Sequence, residues 1–466
     1  MKIDNELKAG DLKNKLDRFW EHSARKIALI RDEYDTSQGS PVFTIDGKYT
    51  TRGWTEWTQG FQFGAEIIQY DVTGEKEFLD LGRQATLELM AAHITHIGVH
   101  DHGFNNVSTY GALWRLYHEG RLDDAEEWQN NFYELALKST GAVQATRWTK
   151  TADGGGYIYT FNGPHSLFVD TVRSLRALGL SYKLGHMLMG EHDEQISLLG
   201  RLVQHARSTA KYNVYYGEGR DSYDRWGRTV HECIFNTNDG FFRCPSSQQG
   251  YSPFSTWTRG LSWAMCGFAE QLEFLETLSD EELDPWGGRA EIRDMMLKAG
   301  RASCDFYIEN TSSDGIPYWD TGAPNLYKLG DYTNKPADPY NDYEPIDSSA
   351  AAIGAQGLLR LGRYLTEKGE IEAGRRYWQA GLTTAATLLD EPHLSTDDSH
   401  QGLLLHSIYH HPNGWDNIPK GQKIPCNESS MWGDYHVREL MLYINRHISG
   451  QPYYTFFGGL NQKVYS

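Results

Sequence analysis

The chain has 466 residues, 39% hydrophobic and 23% charged, enough for a sizeable buried core. Its formal charge of −18 comes with no Lys/Arg cluster to neutralise phosphates, which argues against nucleic acid as a partner. No apolar run approaches the ~18 residues of a membrane span, and the start, Met-Lys-Ile-Asp-Asn-Glu-Leu-Lys, lacks the apolar core of a signal peptide.

Cys233, Cys244, Cys266, Cys304 and Cys426 are odd in number, scattered and without a CxxC pair. They are expected as free buried thiols in a cytoplasmic protein. The 14 Trp and 28 Tyr fit sugar stacking, although large helical cores also use aromatics. Given the net charge, an anionic substrate would have to be held by local cations.

Taken in order, nearly every long segment carries apolar residues at helical spacing. The spacing predicts helices over 12–32, 60–70, 75–97, 107–119, 123–139, 165–184 and 193–211. After a loop-rich stretch, 211–247, it predicts them over 258–278, 288–309, 348–368, 370–389 and 431–445. Short-looped helix pairs without a fixed period fit an all-α toroid of antiparallel hairpins better than a TPR-type or HEAT-type array. No low-complexity or Pro-rich stretch divides the chain, so residues 1–466 are expected to form a single domain. A toroid would collect its Gly-, Asn-, His- and Trp-bearing loops at one end, around a pocket.

Those loops hold the candidate chemistry. Trp54 and Trp57 stand just before a helix, where they could wall a sugar site or fix the start of that helix as a hydrophobic staple. His100-Asp101-His102-Gly103 joins two helices; Asp101 is either catalytic or a cap for the following helix. His-x-His with one Asp is an incomplete ligand set, so no metal and no cofactor are expected.

Asp170 is expected in the second turn of a helix begun by Pro164 and capped by Asn162 or Gly163. Its neighbours Leu167, Phe168, Val169, Val172 and Leu175 are apolar. Desolvation there would raise its pKa and keep it protonated, as a general acid requires. The structural alternative is a buried Asp paired with Arg173 or Arg176.

In Gln249–Trp263 a loop of turn formers runs into a helix, with Ser255 or Thr256 as the expected N-cap. Trp257, Leu261, Ala264, Phe268, Leu272 and Leu275 make a core stripe. Arg259 and Trp263, one turn apart on another face, put a guanidinium beside an indole, which suits an anionic ring such as a uronic acid. An Arg snorkelling along a structural Trp is the other reading.

In their order and spacing these stretches resemble glycoside hydrolase family 88, the unsaturated glucuronyl hydrolases. The likeness is carried by His100-Asp101-x-Gly103-Phe104, by Asp170, and by Gln249-Gly-Tyr followed by Trp257-x-Arg259-Gly-x-x-Trp263. Pro317-Tyr-Trp-Asp320, Asp347-Ser-Ser-Ala-Ala-Ala, Gly402-Leu-Leu-Leu-His406 and Met431-Trp-Gly-Asp-Tyr435 add to it. The resemblance implies an (α/α)6 barrel acting on the 4,5-unsaturated uronic acid at the non-reducing end of lyase products. It implies Asp170 as general acid/base with Asp101 beside it, and Trp57, His231, Gln249, Trp257, Arg259 and Trp263 lining the pocket. Departures fall at Gln62, His102, Leu261-Ser262 and Asp320-Thr-Gly-Ala-Pro324, and they bear on the acceptor sugar and sulfation. A related unsaturated rhamnogalacturonyl hydrolase and a helical-repeat binding scaffold are the rival expectations.

Overall fold

The computed structural model describes residues 1–52 and 56–458, and helix dominates it. In chain order come α1 (Lys13–Glu33), α2 (Gln59–Thr73) and α3 (Lys76–Leu89). Helix α4 runs through His102–Asn106, a π-helical turn Val107–Gly111 and Ala112–His118, and α5 is Glu127–Thr146. Helix α6 joins Thr171–Ser174 to Arg176–Lys183, and α7 is Leu198–Ser208 with a closing π-helical turn Thr209–Asn213. Then follow α8 (Thr258–Leu275), α9 (Gly288–Asn310), α10 (Ser348–Glu367), α11 (Ile371–Leu388) and α12 (Met431–Ser449).

The even-numbered helices are inner and the odd-numbered ones outer. Every residue of α8 is buried, and α10 and α12 are buried over nearly their whole length. By contrast α3 buries only Phe78, Leu79, Gly82 and Thr86, one stripe on an otherwise polar cylinder. A helix apolar all round belongs inside, and a one-striped helix belongs at the surface. Among the inner helices α2 packs on α4, α4 on α6, α6 on α8, α8 on α10, α10 on α12, and α12 again on α2. Each outer helix packs on the inner helix next to it in sequence.

Two of these inner contacts require glycine. A Cβ at Gly103 of α4 would stand 2.2 Å from the Ser174 carbonyl oxygen of α6, and one at Gly357 of α10 would stand 2.7 Å from the Cys266 amide of α8. The backbones therefore meet where no side chain intervenes.

Between the inner helices lies an ionic core. Arg173 donates to Glu439 at 2.9 Å and also to Glu270, while Arg176 reaches Glu439 at 3.4 Å. These arginines are therefore committed to glutamates and do not pair with Asp170. Burial raises the Glu439 carboxyl, but Arg173 and Arg176 outweigh it and hold the group well below its usual range.

Short strands lie in the loops. They are β1 (Pro41–Ile45) with β2 (Lys48–Thr51), β3 (Trp148–Lys150) with β4 (Gly156–Ile158), and β6 (Leu188–Met189) with β7 (Gln195–Ile196). A three-stranded antiparallel sheet is ordered β5 (Ser166–Phe168), β8 (Glu232–Phe235), β9 (Phe242–Ser246).

Several expectations are corrected here. The segment 165–184 is not one helix: Ser166–Phe168 pairs with β8, and α6 begins only at Thr171. Asp170 consequently sits at the N-cap position and not in a second turn, and Pro164 opens no helix. Tertiary pairing with a strand some 65 residues away overrides the helical spacing. Helix α3 ends at Leu89, short of the expected 97. Helix α4 starts earlier than expected, so His102-Gly103 is its first turn and not a connection. The N-cap of α8 is Trp257, because Thr256 Oγ1 accepts the Thr229 amide instead of capping. The five thiols make no disulfide, and four are buried, but Cys244 is exposed. No helix of the described residues is long and apolar enough to cross a membrane.

Candidate active site

At one end of the inner helices a cavity of about 410 Å³ opens among the segments that lead into them. It is lined by Trp57, Asp101, Asp170, Gln249, Trp257, Arg259 and Trp263, brought together from distant parts of the chain. His231, the remaining expected residue, stands just behind this lining, against Asp170. Trp54 lies outside the described residues.

The loop before α4 is held rigidly. The His100 carbonyl accepts hydrogen bonds from Gln144 Nε2 at 2.8 Å and from Ser174 Oγ at 2.9 Å. Asp101 occupies the N-cap position of α4 without making a side-chain capping bond, so its carboxylate is not used as a cap. Asp170 comes from the β5–α6 junction, where the Val169 amide donates to the His231 carbonyl at 2.9 Å and ties the two segments together.

His100 Nε2 lies 3.2 Å from Asp170 Oδ2 and 3.7 Å from Asp101 Oδ1, so one ring nitrogen serves both carboxylates. Both aspartates are almost fully buried, 7% and 6% exposed, and both line the cavity. On its other side Asp170 presents Oδ1 to His231 Nε2 at 4.0 Å. His231 Nδ1 accepts the amides of Gln248 and Gln249 at 3.0 and 3.2 Å, which places the proton of a neutral ring on Nε2, facing Asp170.

Burial drives the electrostatics, and neighbours decide the sign. The Asp170 carboxyl is pushed up by burial, but the hydrogen bond from His100 and the charge of His100 bring it below its ordinary value. Asp101 ends above its ordinary value, through burial first and the charge of Asp170 in addition. Burial opposes protonation of His100, yet Asp101 and Asp170 raise it overall. His231 is lowered to about 4, chiefly by burial, and is neutral. The expectation of a raised Asp170 is therefore reversed: the raised carboxyl is Asp101, and the His100 ring beside it is raised as well. Among the described residues His100, Asp101 and Asp170 also present ligand atoms within 4.8 Å of one another, a spacing that suits a divalent cation.

The walls are aromatic. Trp57 stacks on Trp432 with centroids 5.2 Å apart, Trp263 lies tilted against Phe104 at 4.8 Å, and Trp257 meets His231 edge-on at 4.7 Å. The Arg259 guanidinium lies over Trp257 at 4.7 Å and Trp432 at 5.0 Å; these are its indole partners, not Trp263. Its donors are engaged by Asp347 at 2.9 Å, by the Ile408 and Tyr409 carbonyls, and by Gln249 Oε1 at 2.9 Å. With its oxygen so used, the Gln249 amide turns its NH₂ group away from Arg259.

Sequence reasoning missed part of this lining. The sequence places His100 in a possible ligand set and in the His100-Asp101-x-Gly103-Phe104 likeness without a role of its own; its place beside Asp101 is the available signal. Phe161, Phe168, Gln248, Tyr409, His410, Asn413 and Trp415 also line the cavity. His102 does not: its ring is bonded to Thr140 Oγ1 and the His96 carbonyl, and burial lowers it to about 3.

No family model matches the chain. It is similar to the unsaturated glucuronyl hydrolase of Bacillus sp. (strain GL1), 24% identical over 445 residues that cover 92% of this chain and 96% of the relative. It is also similar to the unsaturated chondroitin disaccharide hydrolase of Streptococcus agalactiae serotype III (strain NEM316), 20% identical over 91% of this chain and 89% of the relative. The crystal structure of the Bacillus sp. GL1 unsaturated glucuronyl hydrolase, described as responsible for degradation of glycosaminoglycan, matches with a TM-score of 0.68 at 20% identity, covering 92% of this chain and 98% of that one. A Streptococcus agalactiae variant complexed with dGlcA-GalNAc6S matches with a TM-score of 0.62 at 18% identity, covering 95% and 93%. The fold is thus the mostly helical one of the unsaturated glucuronyl hydrolases. In sequence, too, the resemblance to glycoside hydrolase family 88 extends over nearly the whole chain, beyond the motifs that first carry it.

Proposed function

We propose that the chain is an unsaturated glucuronyl hydrolase. It is read as one (α/α)6-barrel domain, cytoplasmic in keeping with its unpaired thiols, that releases the 4,5-unsaturated uronic acid from the non-reducing end of lyase-generated oligosaccharides. The observation that carries this reading is Asp170 at the floor of an indole-walled cavity, its Oδ2 on His100 and its Oδ1 without a hydrogen-bond partner. A protein-binding scaffold would have no use for a buried carboxylate oxygen left unpaired, which is costly unless a ligand uses it.

A 4,5-unsaturated uronate carries an enol ether. Proton transfer to C4 breaks the C4=C5 π bond and leaves an oxocarbenium-like cation at C5. Water adds at C5 and returns its proton to the carboxylate; the resulting hemiketal opens, and the glycosidic bond is lost by rearrangement. One acid that becomes the base is enough, and no attack at the anomeric carbon is needed. Asp170 is that group. Entry of an anionic sugar beside the cluster raises the Asp170 pKa, and a protonated His100 passes its proton along the 3.2 Å hydrogen bond to Oδ2. Asp101 stabilises the cationic state of His100 and of the reacting ring.

Gln249 Nε2 donates to the sugar, Trp257 and Trp263 pack against it, and Arg259 acts by its charge while its donors hold the wall in place. The sulfated GalNAc acceptor of the Streptococcus agalactiae complex belongs to that relative; for this chain the shared element is the unsaturated uronic acid.

Turnover in deuterated water tests the reading. Deuterium should appear at C4 of the released keto-sugar, and a saturated uronide should be inert. Brisk hydrolysis of a saturated glucuronide without label at C4 overturns both the hydration chemistry and the role of Asp170. The cation-compatible spacing of His100, Asp101 and Asp170 supports a second reading, metal-assisted hydration. Full activity after exhaustive chelation is expected, and loss that a divalent cation restores would favour that second reading.

A further inference from the structure

Outside the candidate active site, the outer side of the fold carries a second cavity of about 390 Å³, walled by β3, the start of α7 and the segment before α9, and it shares no lining residue with the first. Arg201 reaches into it from the first turn of α7. Its guanidinium lies 3.9 Å from the Trp148 ring, and its Nη1 is buried with no hydrogen-bond partner. No carboxylate among the described residues comes within ion-pair distance of Arg201; Glu194, also on the cavity wall, is its nearest acidic influence. Burial without an anion lowers the guanidinium below its ordinary value. That contrasts with Arg173, Arg176, Arg259 and Arg360, each matched to a carboxylate.

The rest of the wall narrows the choice of ligand. Trp286 packs against Gly200, where a Cβ would stand 2.2 Å from its ring, so an indole is seated one residue from the guanidinium. Lys150 adds a second cation on the exposed rim, and Gln204 supplies neutral hydrogen-bonding capacity. A planar guanidinium fork matches a planar carboxylate in two parallel hydrogen bonds. Indole and amides around a charged anchor are the usual surroundings of a sugar ring and its hydroxyls.

We propose that the Arg201 cavity is a second binding site, one that takes the carboxylate of a hexuronate unit in an acidic oligosaccharide. Trp148 holds the guanidinium in place, the carboxylate pairs with the edge of the guanidinium that lines the cavity, and Trp286 and Gln204 contact the ring. In a chain of net charge −18 this is a local cationic site held against the overall field. It does not depend on the reaction proposed for the first cavity.

The test titrates the intact chain calorimetrically with a saturated hexuronate disaccharide, with cellobiose as neutral control and sodium sulfate as inorganic control. In the wild type a binding event is expected that Arg201→Gln weakens about tenfold or more, that Arg201→Lys partly restores, and that cellobiose does not produce. Turnover of a small unsaturated disaccharide should be the same in Arg201→Gln as in the wild type. Lys150→Glu on the exposed rim gives an independent variant that leaves packing untouched, and it should weaken the same event. Identical isotherms for wild type and both variants overturn the site. Sulfate binding as tightly as the disaccharide, or cellobiose matching it, overturns the assignment to a hexuronate.

Discussion

Asp170 Oδ1 and His231 Nε2 face each other at 4.0 Å, both buried and neither with a hydrogen-bond partner. The gap is too long for a direct bond, so both groups keep an unused hydrogen-bonding position beside the cavity wall. Asp170→Asn keeps the shape of the side chain but removes the proton. Substrate binding and thermal stability should stay close to wild type, while kcat falls by ~10²–10⁴-fold or more. Unfolding of the variant, or kcat within a few-fold of wild type, would assign Asp170 to structure.

His100 should control the alkaline limb of the pH profile. It supplies the main influences that pull Asp170 down against burial. In His100→Gln its charge vanishes, burial prevails, Asp170 keeps its proton to higher pH, and the alkaline limb of kcat/KM should move to higher pH, with kcat reduced. An unshifted alkaline limb would separate His100 from the proton. In the wild type the His100 pKa is raised on folding, so the stability it contributes is present below pH ~6.5 and is lost as pH rises through its folded value.

Arg259 is expected to matter for the wall more than as a direct ligand. Arg259→Ala strands the buried Asp347 and two carbonyls, so it should cost ~3–5 kcal/mol of stability, read as a lowered Tm, and a large loss of kcat/KM. Trp263→Phe, which retains an aromatic wall, should lose less of both. Restoring part of the Tm with Arg259→Met combined with Asp347→Asn would show that the stranded charge is the cause; no recovery in the double variant would refute that.

Acid should destabilise the fold through its interior histidines. Burial lowers His102, His205 and His436 to about 3 each. Their folded pKa lies below the unfolded ~6.5, so as pH falls the unfolded chain binds protons first. The stability they contribute is intact above pH ~6.5 and is lost progressively towards 3, at up to ~1.4 kcal/mol per histidine per pH unit. Denaturant midpoints should therefore fall between pH 7 and pH 5. A flat profile over that interval would contradict neutral, buried rings.

Much of this was legible in the chain itself. Apolar spacing located the long helices, because a helix buried on one face must repeat its apolar residues every three to four positions. The pocket residues were legible as well: Asp101, Gln249, Trp257, Arg259 and Trp263 stand in loop-to-helix junctions, where aromatic and ionisable side chains serve packing poorly. Tertiary structure decided what depends on partners remote in sequence. Pairing of Ser166–Phe168 with Glu232–Phe235 turned an expected helix into a strand and set Asp170 at the start of α6. It also brought His231 to within 4.0 Å of that carboxylate. Asp347 and the Tyr409 carbonyl, some 88 and 150 residues from Arg259, consumed the donors that the local pattern left free for a ligand. Most of all, the sign of the Asp170 shift lay beyond local reading. Apolar neighbours in the chain predict only desolvation, while the opposing term comes from His100, 70 residues earlier and brought to 3.2 Å by the folded chain. A pKa is set by what surrounds a group in space, and sequence spells out only what precedes and follows it.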